Sequence, residues 1–430
     1  MLPDFAQAIS APLQDFERHL LEASARIERW VRLEWQDHTP PFYASIDLRN
    51  AGFKIAPVDT NLFPAGFENL AEDTLPLAVQ AAMAAIEKYC PDARNLLLIP
   101  DARRRDARYL RNLRRLSTIL RQTGLRVRYG SVDPGASAPL RIDAGDGDTL
   151  VVEPVMRRGL RVGLADFDPC SILLNDDLSS GLPEVLQNVH EQVLLPPLHA
   201  GWALRRKARH FAAYTEVARR FAKQFDFDPW LITTNFVECS DVDFLGGAGL
   251  DRVAAAVDRI LRQSRARYRE HDIGEQPFAV VKANAGTCGI GVTAVREAAQ
   301  VRRASAAERE AMASGAHGRT VDEVVVQEGV PTVETVDGGV AEPVVYTIDR
   351  YVVGGFYRVH TQRGPDENLN APGMHFVPLP FAASCHLPDR GESVEHAVNR
   401  FYVYGVVARL ALLAAAVELE QTDPDPSLYG

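Results

Sequence analysis

The segment that most constrains this chain is 278–295, FAVVKANAGTCGIGVTAV. An apolar strand presents Lys282, glycines follow at 286, 289 and 291, and a second apolar strand resumes at once. That pattern reads as a β-hairpin, not as a strand feeding a helix. Glycines let backbone N–H groups come close to phosphate oxygens, and a lysine on the adjoining strand adds a point charge. No GKS or GKT ends the loop and no GxGxxG is present, so neither a Walker loop nor a dinucleotide fingerprint is implied. A glycine-rich hairpin clamped over phosphates is the better reading, although turn glycines alone would explain a plain hairpin. Cys288 inside the loop has no nearby base in the sequence and is not assigned a catalytic role.

Three elements follow in order. The apolar run VVVQEGV (324–330) ends in Gln327 and Glu328, a strand end suited to base and ribose recognition. The stretch VVYTIDRYVVGGFYRVH (344–360) reads as two strands with Gly354-Gly355 as the turn. That turn sets Arg350 and Arg358 at comparable heights on paired strands. Two neighbouring arginines repel unless an anion lies between them, or unless each has its own carboxylate. The loop DENLNAPG (366–373) then supplies oxygen ligands of the hard type that Mg²⁺ prefers, Asn368 and Asn370 among them.

The N-terminal part differs in character. Residues 1–38 carry apolar positions every three or four residues and predict helix, as do 72–90. LLLIP (96–100), a basic helix stopping at Gly124, and LRVRYGSV form a strand–helix–strand unit of an α/β domain ending near residue 195. A long helix is predicted over roughly 198–225. Between the helices predicted over 1–38 and 72–90, the stretch 42–70 is polar and punctuated by Gly and Pro. Its Asp47, Arg49, Lys54, Asp59 and Asn61 offer partners for the carboxylate and ammonium of an amino acid. Asx turns in a surface loop would account for the same residues.

Charge and cysteines narrow the function classes. With 47 basic and 57 acidic residues the net charge is −10, which argues against nucleic-acid binding. The late apolar stretch 401–419 is interrupted by Arg409, and the start lacks a basic region before an apolar run. Neither a membrane span nor a signal peptide is expected. Five widely spaced cysteines without CxxC suit a reducing cytoplasm. No HExxH or GxSxG occurs.

Strand lysine, glycine loop, strand-end Gln-Glu, two arginines and an Asn-rich loop, in that order, look like an ATP-grasp ligase. With SIDLRNAGFKIAPVDTNLFPAGFENL (45–70), KANAGTCGIGV (282–292), IDRYVVGGFYRVH (348–360) and ENLNAPGMHFVPL (367–379), the chain resembles a proteobacterial glutamate–cysteine ligase family of the iron-oxidiser type. The resemblance implies a mixed α/β (α+β) fold: an N-terminal substrate domain over 1–195, then an ATP-grasp-like catalytic region over 196–430. Within that region it implies a lid at about 225–330 and a C-terminal subdomain at about 331–430. It implies ATP-dependent ligation of glutamate to cysteine in the cytoplasm, with ATP and Mg²⁺ and with small molecules as partners. A homo-oligomer is left open. ATP would be held by Lys282, Gly286, Thr287, Gly289, Gly291, Gln327 and Glu328. Catalysis would fall to Lys282, Arg350 and Arg358, and substrate binding to the five residues of 42–70 together with Asn370. Metal binding would fall to Asn368, Asn370 and Asp349, because the late Glu-x-Asn of many ATP-grasp enzymes is missing. Glutathione synthetase or another ligase of this fold, and an inactive nucleotide-binding protein, are the rival readings. The absent GxGxxG disfavours a dehydrogenase.

Overall fold

The computed structural model describes residues 11–145, 147–286, 291–315, 320–379 and 400–424. Thr287, Cys288 and Gly289 lie outside the described residues. The fold is mixed α/β, as the sequence implies.

Its centre is a six-stranded antiparallel sheet drawn from both ends of the chain. Tyr43–Asn50 pairs with Ile55–Asn61 on one side and with Gly339–Ile348 on the other. Tyr351–His360 and His375–Pro378 extend it, and Thr335–Val336 caps an edge. The division at residue 195 is therefore crossed, because strands from 43–61 and 339–378 share one sheet. Side chains alternate across it. Ala44, Ile46 and Leu48 enter the core under the C-terminal helix Arg400–Thr422. Tyr43 and, by alternation, Asp47 and Arg49 lie on the opposite face with Val344 and Tyr346.

The C-terminal helix is long and apolar enough to cross a membrane, contrary to the expectation from Arg409, yet 89% of its apolar window is buried within the protein. Its composition is that of a core helix, apolar on every side. Arg409 makes a bidentate ion pair with Glu28 at 2.7 and 2.8 Å. The predicted 1–38 helix is described from residue 11 as two, Ala11–Glu22 and Ser24–Asp37. Leu13, Phe16, Leu20, Ala23, Ile27, Val31 and Trp35 keep one buried stripe through the break.

The predicted strand–helix–strand unit is present as Asn95–Pro100, Ala107–Gln122 and Arg126–Ser131, the two strands parallel. It belongs to a second, mostly parallel sheet. The third sheet has four antiparallel strands, all within 236–328: Phe236–Cys239, Val324–Glu328, Ala279–Ala283 and Thr293–Val295. Helix Leu250–Glu270 covers one face of it.

Two expectations are corrected. The helix predicted over 198–225 begins only at Lys207. Pro196, Pro197 and Gly201 keep the preceding stretch irregular. The hairpin of 344–360 turns at Asp349-Arg350 and not at Gly354-Gly355. Asp349 takes the left-handed φ of 49°, which aspartate tolerates. Gly354 sits mid-strand opposite Tyr346 beside a register shift. At its φ of 142° an added Cβ would lie 3.2 Å from Thr74 Oγ1, so the glycine serves close approach and not reversal.

Candidate active site

A cleft lies between the four-stranded sheet and the central sheet. The central sheet contributes Asp47, Arg49, Asp59, Glu342 and Arg358 to its walls. Asp47 stands directly opposite Asp59 on neighbouring strands, and Glu342 opposite Arg358. Like charges opposite each other destabilise a sheet unless cations cover them. Arg358 Nη1 covers Asp47 at 2.9 Å and Glu342 at 2.5 Å, and Lys207 Nζ covers Asp59 at 2.5 Å. Burial alone would raise the Asp59 pKa, but the ammonium groups of Lys207 and Lys282 outweigh it and hold the carboxyl at about 2. Burial likewise works against the Arg358 charge, and Asp47 and Glu342 overcome it, so the guanidinium stays ionised. Its Nε is buried and has no hydrogen-bond partner among the described residues.

The four-stranded sheet supplies Val280, Lys282, Ala294 and Gln327. Val280 and Lys282 point to the cleft, while Ala279 and Val281 point to the covering helix. Lys282 is 6% exposed and donates to the Val58 carbonyl at 2.7 Å, over the Phe211 ring. Burial lowers its pKa to about 7, with Asp59 opposing the shift. It is the one cation of the cleft walls with no carboxylate ion pair among the described residues.

Lys207 was hidden inside the predicted helix and Glu342 inside an apolar strand. Lys207 is placed by its neighbours. Arg205 makes a buried bidentate pair with Glu418 of the C-terminal helix and donates to the Thr60 carbonyl at 2.7 Å. The Lys207 amide donates to Asn284 O at 2.7 Å, which ties the helix start to the four-stranded sheet. Lys207 carried no local signal. Glu342 comes opposite Arg358 through the turn at Asp349-Arg350 together with the register shift beside Tyr346; the turn alone would set it opposite Tyr357.

The sequence candidates divide in space. Asp47, Arg49, Asp59, Lys282, Gly286, Gln327, Glu328, Arg358, Asn368 and Asn370 all line the cleft. Arg49 is engaged throughout, with Glu342 at 2.8 Å and the carbonyls of Val330, Pro365 and Glu367, so it fastens the 365–370 loop to the sheet. Both Glu328 oxygens are taken, one by Lys54 and Trp230 Nε1, the other by Asn235. Its carboxylate is therefore not free for ribose hydroxyls. Lys54 lies outside the cleft wall as its buried partner, 4.2 Å from the Trp230 ring. Asn61 closes an Asx turn on the Phe63 amide. Gly291 does not line the cleft, and its close approach is to Ser314 O.

Arg350 and Asp349 stand at the hairpin turn. Arg350 sits in the turn before the Tyr351–His360 strand, and Arg358 lies seven residues beyond Tyr351 along it, so the two are on the order of 20–25 Å apart. Asp349 lies 3.8 Å from Lys88, and Arg350 bonds Tyr351. The paired-arginine arrangement and a metal role for Asp349 are both withdrawn, because the turn lies elsewhere. Arg350→Ala is expected to leave kcat and KM for every substrate near wild type, which steady-state kinetics checks. A large loss of kcat would return Arg350 to the chemistry.

A family model described as "GshA: Glutamate-cysteine ligase" matches residues 17–419. A crystal structure described as "Putative gamma-glutamylcysteine synthetase", from Methylobacillus flagellatus KT, is 53% identical with a TM-score of 0.90. The match covers 98% of this chain and 100% of that one. A D-alanyl-alanine synthetase A from Vibrio cholerae matches at 11% identity and a TM-score of 0.35, covering 74% and 81% of the two chains. A glutathione synthetase-like effector from Globodera pallida matches at 8% and 0.37, covering 83% and 81%. No curated protein matches the chain.

Proposed function

The chain belongs to the glutamate–cysteine ligase family GshA, and on that premise we propose that the cleft binds ATP and joins the γ-carboxylate of glutamate to the amine of cysteine. The observation that carries the site assignment is a pair of cations lining one cleft with donor capacity to spare. Lys282 lacks a carboxylate partner, and Arg358 keeps a buried, unbonded Nε. A buried donor without a partner, such as Arg358 Nε, is costly unless a ligand completes it, and an ammonium held only by a carbonyl keeps two N–H groups for an anion.

The γ-carboxylate of glutamate attacks the γ-phosphorus of ATP, and ADP leaves. The cysteine amine then attacks the acyl carbon. The C–N bond forms, the C–O bond to phosphate breaks, inorganic phosphate departs and the amine loses a proton. Little covalent chemistry is left to the protein, whose role is positioning and charge neutralisation. Lys282 and the 284–286 backbone hold phosphates. Arg358 stabilises charge on the transferring group and on the tetrahedral carbon. Lys207 shares its ammonium between Asp59 and the substrates. Asp59 would take the ammonium group of glutamate. The four-stranded unit of 236–328 acts as the lid that keeps water from the acyl phosphate.

The described cleft walls offer carboxylate and amide oxygens and no thiol or imidazole, the donor chemistry that Mg²⁺ takes. Asn368, Asn370 and Asp47 would hold it, and bound there it would neutralise phosphate charge. Cytoplasmic placement, where cysteine stays reduced, is part of this reading.

Two experiments test it. Phosphate release from MgATP is expected only when glutamate and cysteine are both present, with a product of γ-glutamylcysteine mass. Release with γ-glutamylcysteine and glycine instead would move the assignment to glutathione synthetase. The second follows from Lys282, half-neutral near pH 7 in the free protein. Phosphates restore its charge, so ATP binding takes up a proton above pH 7, and ATP affinity falls as pH rises from 7, by up to about tenfold per unit. Calorimetry at pH 8 in buffers of different ionisation enthalpy reads that proton directly. Binding heats that do not vary with buffer would contradict the Lys282 assignment.

A further inference from the structure

A second cavity opens beside the main cleft and shares Ala283, Ala285 and Gly286 with it. Adjacent residues divide between the two: Lys207 lines the main cleft and Arg206 the side cavity. Arg206 Nε bonds Glu323 at 2.6 Å, and its Nη1 reaches the carbonyls of Leu204 and Arg205. Its Nη2 has no bond among the described residues. Trp202 also lines the cavity. Its indole Nε1 is buried without a hydrogen-bond partner, and the residue is 2% exposed. Lys207 and Arg205 hold the ring, with charges 4.4 and 4.9 Å from its centroid.

We propose that this side cavity is the subsite of the amine substrate, with Arg206 Nη2 binding the cysteine α-carboxylate and the Trp202 indole N–H donating to its sulfur. The proposal rests on the glutamate–cysteine ligase reading and deepens it. Three features fit. A guanidinium with one spare edge matches a carboxylate. A thiol is small, a weak acceptor and favourable against an aromatic ring. Continuity with the main cleft lets the amine reach an acyl carbon held near Arg358 and Lys207. The main cleft, rich in carboxylates and cations, is left to ATP and glutamate. Glu323 stands just before the Val324–Glu328 strand of the lid, so the Arg206–Glu323 pair also joins the two walls of the subsite.

The test is steady-state kinetics with each substrate varied separately, using cysteine and 2-aminobutyrate as alternative amines. Arg206→Ala is expected to raise KM for both amines roughly tenfold to a hundredfold, the loss of one charge-assisted hydrogen bond, with KM for glutamate and ATP unchanged. Arg206→Lys keeps the charge and should fall between, which covers failure of the alanine variant to fold. Trp202→Phe keeps the ring and should narrow the preference for cysteine over 2-aminobutyrate without moving KM for glutamate. A rise in KM for glutamate in the Arg206 variants, or unchanged KM for both amines, would overturn the subsite. Wild-type protein that makes no γ-glutamylcysteine would instead overturn the ligase reading beneath it.

Discussion

Lys282→Ala is expected to lower kcat by about a hundredfold to a thousandfold while leaving the fold intact, the scale of losing one preorganised donor to a transition state. The two halves of that expectation have separate causes. Lys282 reaches the cleft from the middle of the Ala279–Ala283 strand, and its bond there is to a backbone carbonyl. Removing it orphans no carboxylate, and burial already disfavours its charge, which the lowered pKa records. The lost aliphatic stem costs about 1–3 kcal/mol of burial. Lys282→Met keeps that stem and should be close to wild type in thermal unfolding while equally impaired in turnover. Near-native kcat in both variants would remove Lys282 from the chemistry.

Arg358→Ala should fail in the opposite way, losing activity and stability together. Its guanidinium lies against Asp47 and Glu342, and Glu342 is 3% exposed. Burial would raise the Glu342 pKa, but Arg49 and Arg358 outweigh it and hold it down. Deleting one partner of such a buried cluster leaves uncompensated charge, at a cost of about 3–5 kcal/mol. Part of that loss should be recovered at low pH. A group whose folded pKa is depressed contributes stability above its unfolded pKa and loses it as pH falls. Without Arg358 the depression of Glu342 shrinks, so the variant should lose less than wild type on acidification. Urea unfolding at pH 7 and pH 4.5 measures the difference. A variant as stable as wild type at pH 7 would show that the carboxylates rearrange onto Arg49 and Lys207.

What the sequence revealed and what it hid follow from the range of each interaction. The strand–helix–strand at 95–131 and the Lys282 hairpin rest on local periodicity and on glycine placement, and both are present. The turn at Asp349-Arg350 was obscured by a better local signal. Gly354-Gly355 is the stronger turn dipeptide, but those glycines admit Thr74 and a register shift instead. That single displacement carried Arg350 and Asp349 away from the cleft. Pairings across the chain left no local trace. Glu328 is saturated by Lys54, 274 positions away, and Arg49 by Glu342, 293 away. A charged residue met in sequence offers its chemistry, while only the fold shows whether another part of the chain has already used it.

If this cleft makes an amide by way of a γ-glutamyl phosphate, the γ-oxygens of glutamate must divide between phosphate and product. Glutamate carrying ¹⁸O in both γ-carboxylate oxygens, supplied with MgATP and cysteine, tests it in one turnover. One ¹⁸O is expected in the released inorganic phosphate and one in the new amide carbonyl, both read by mass spectrometry. Phosphate released without ¹⁸O while γ-glutamylcysteine accumulates would contradict it, because the phosphoryl group would then never have been bonded to glutamate.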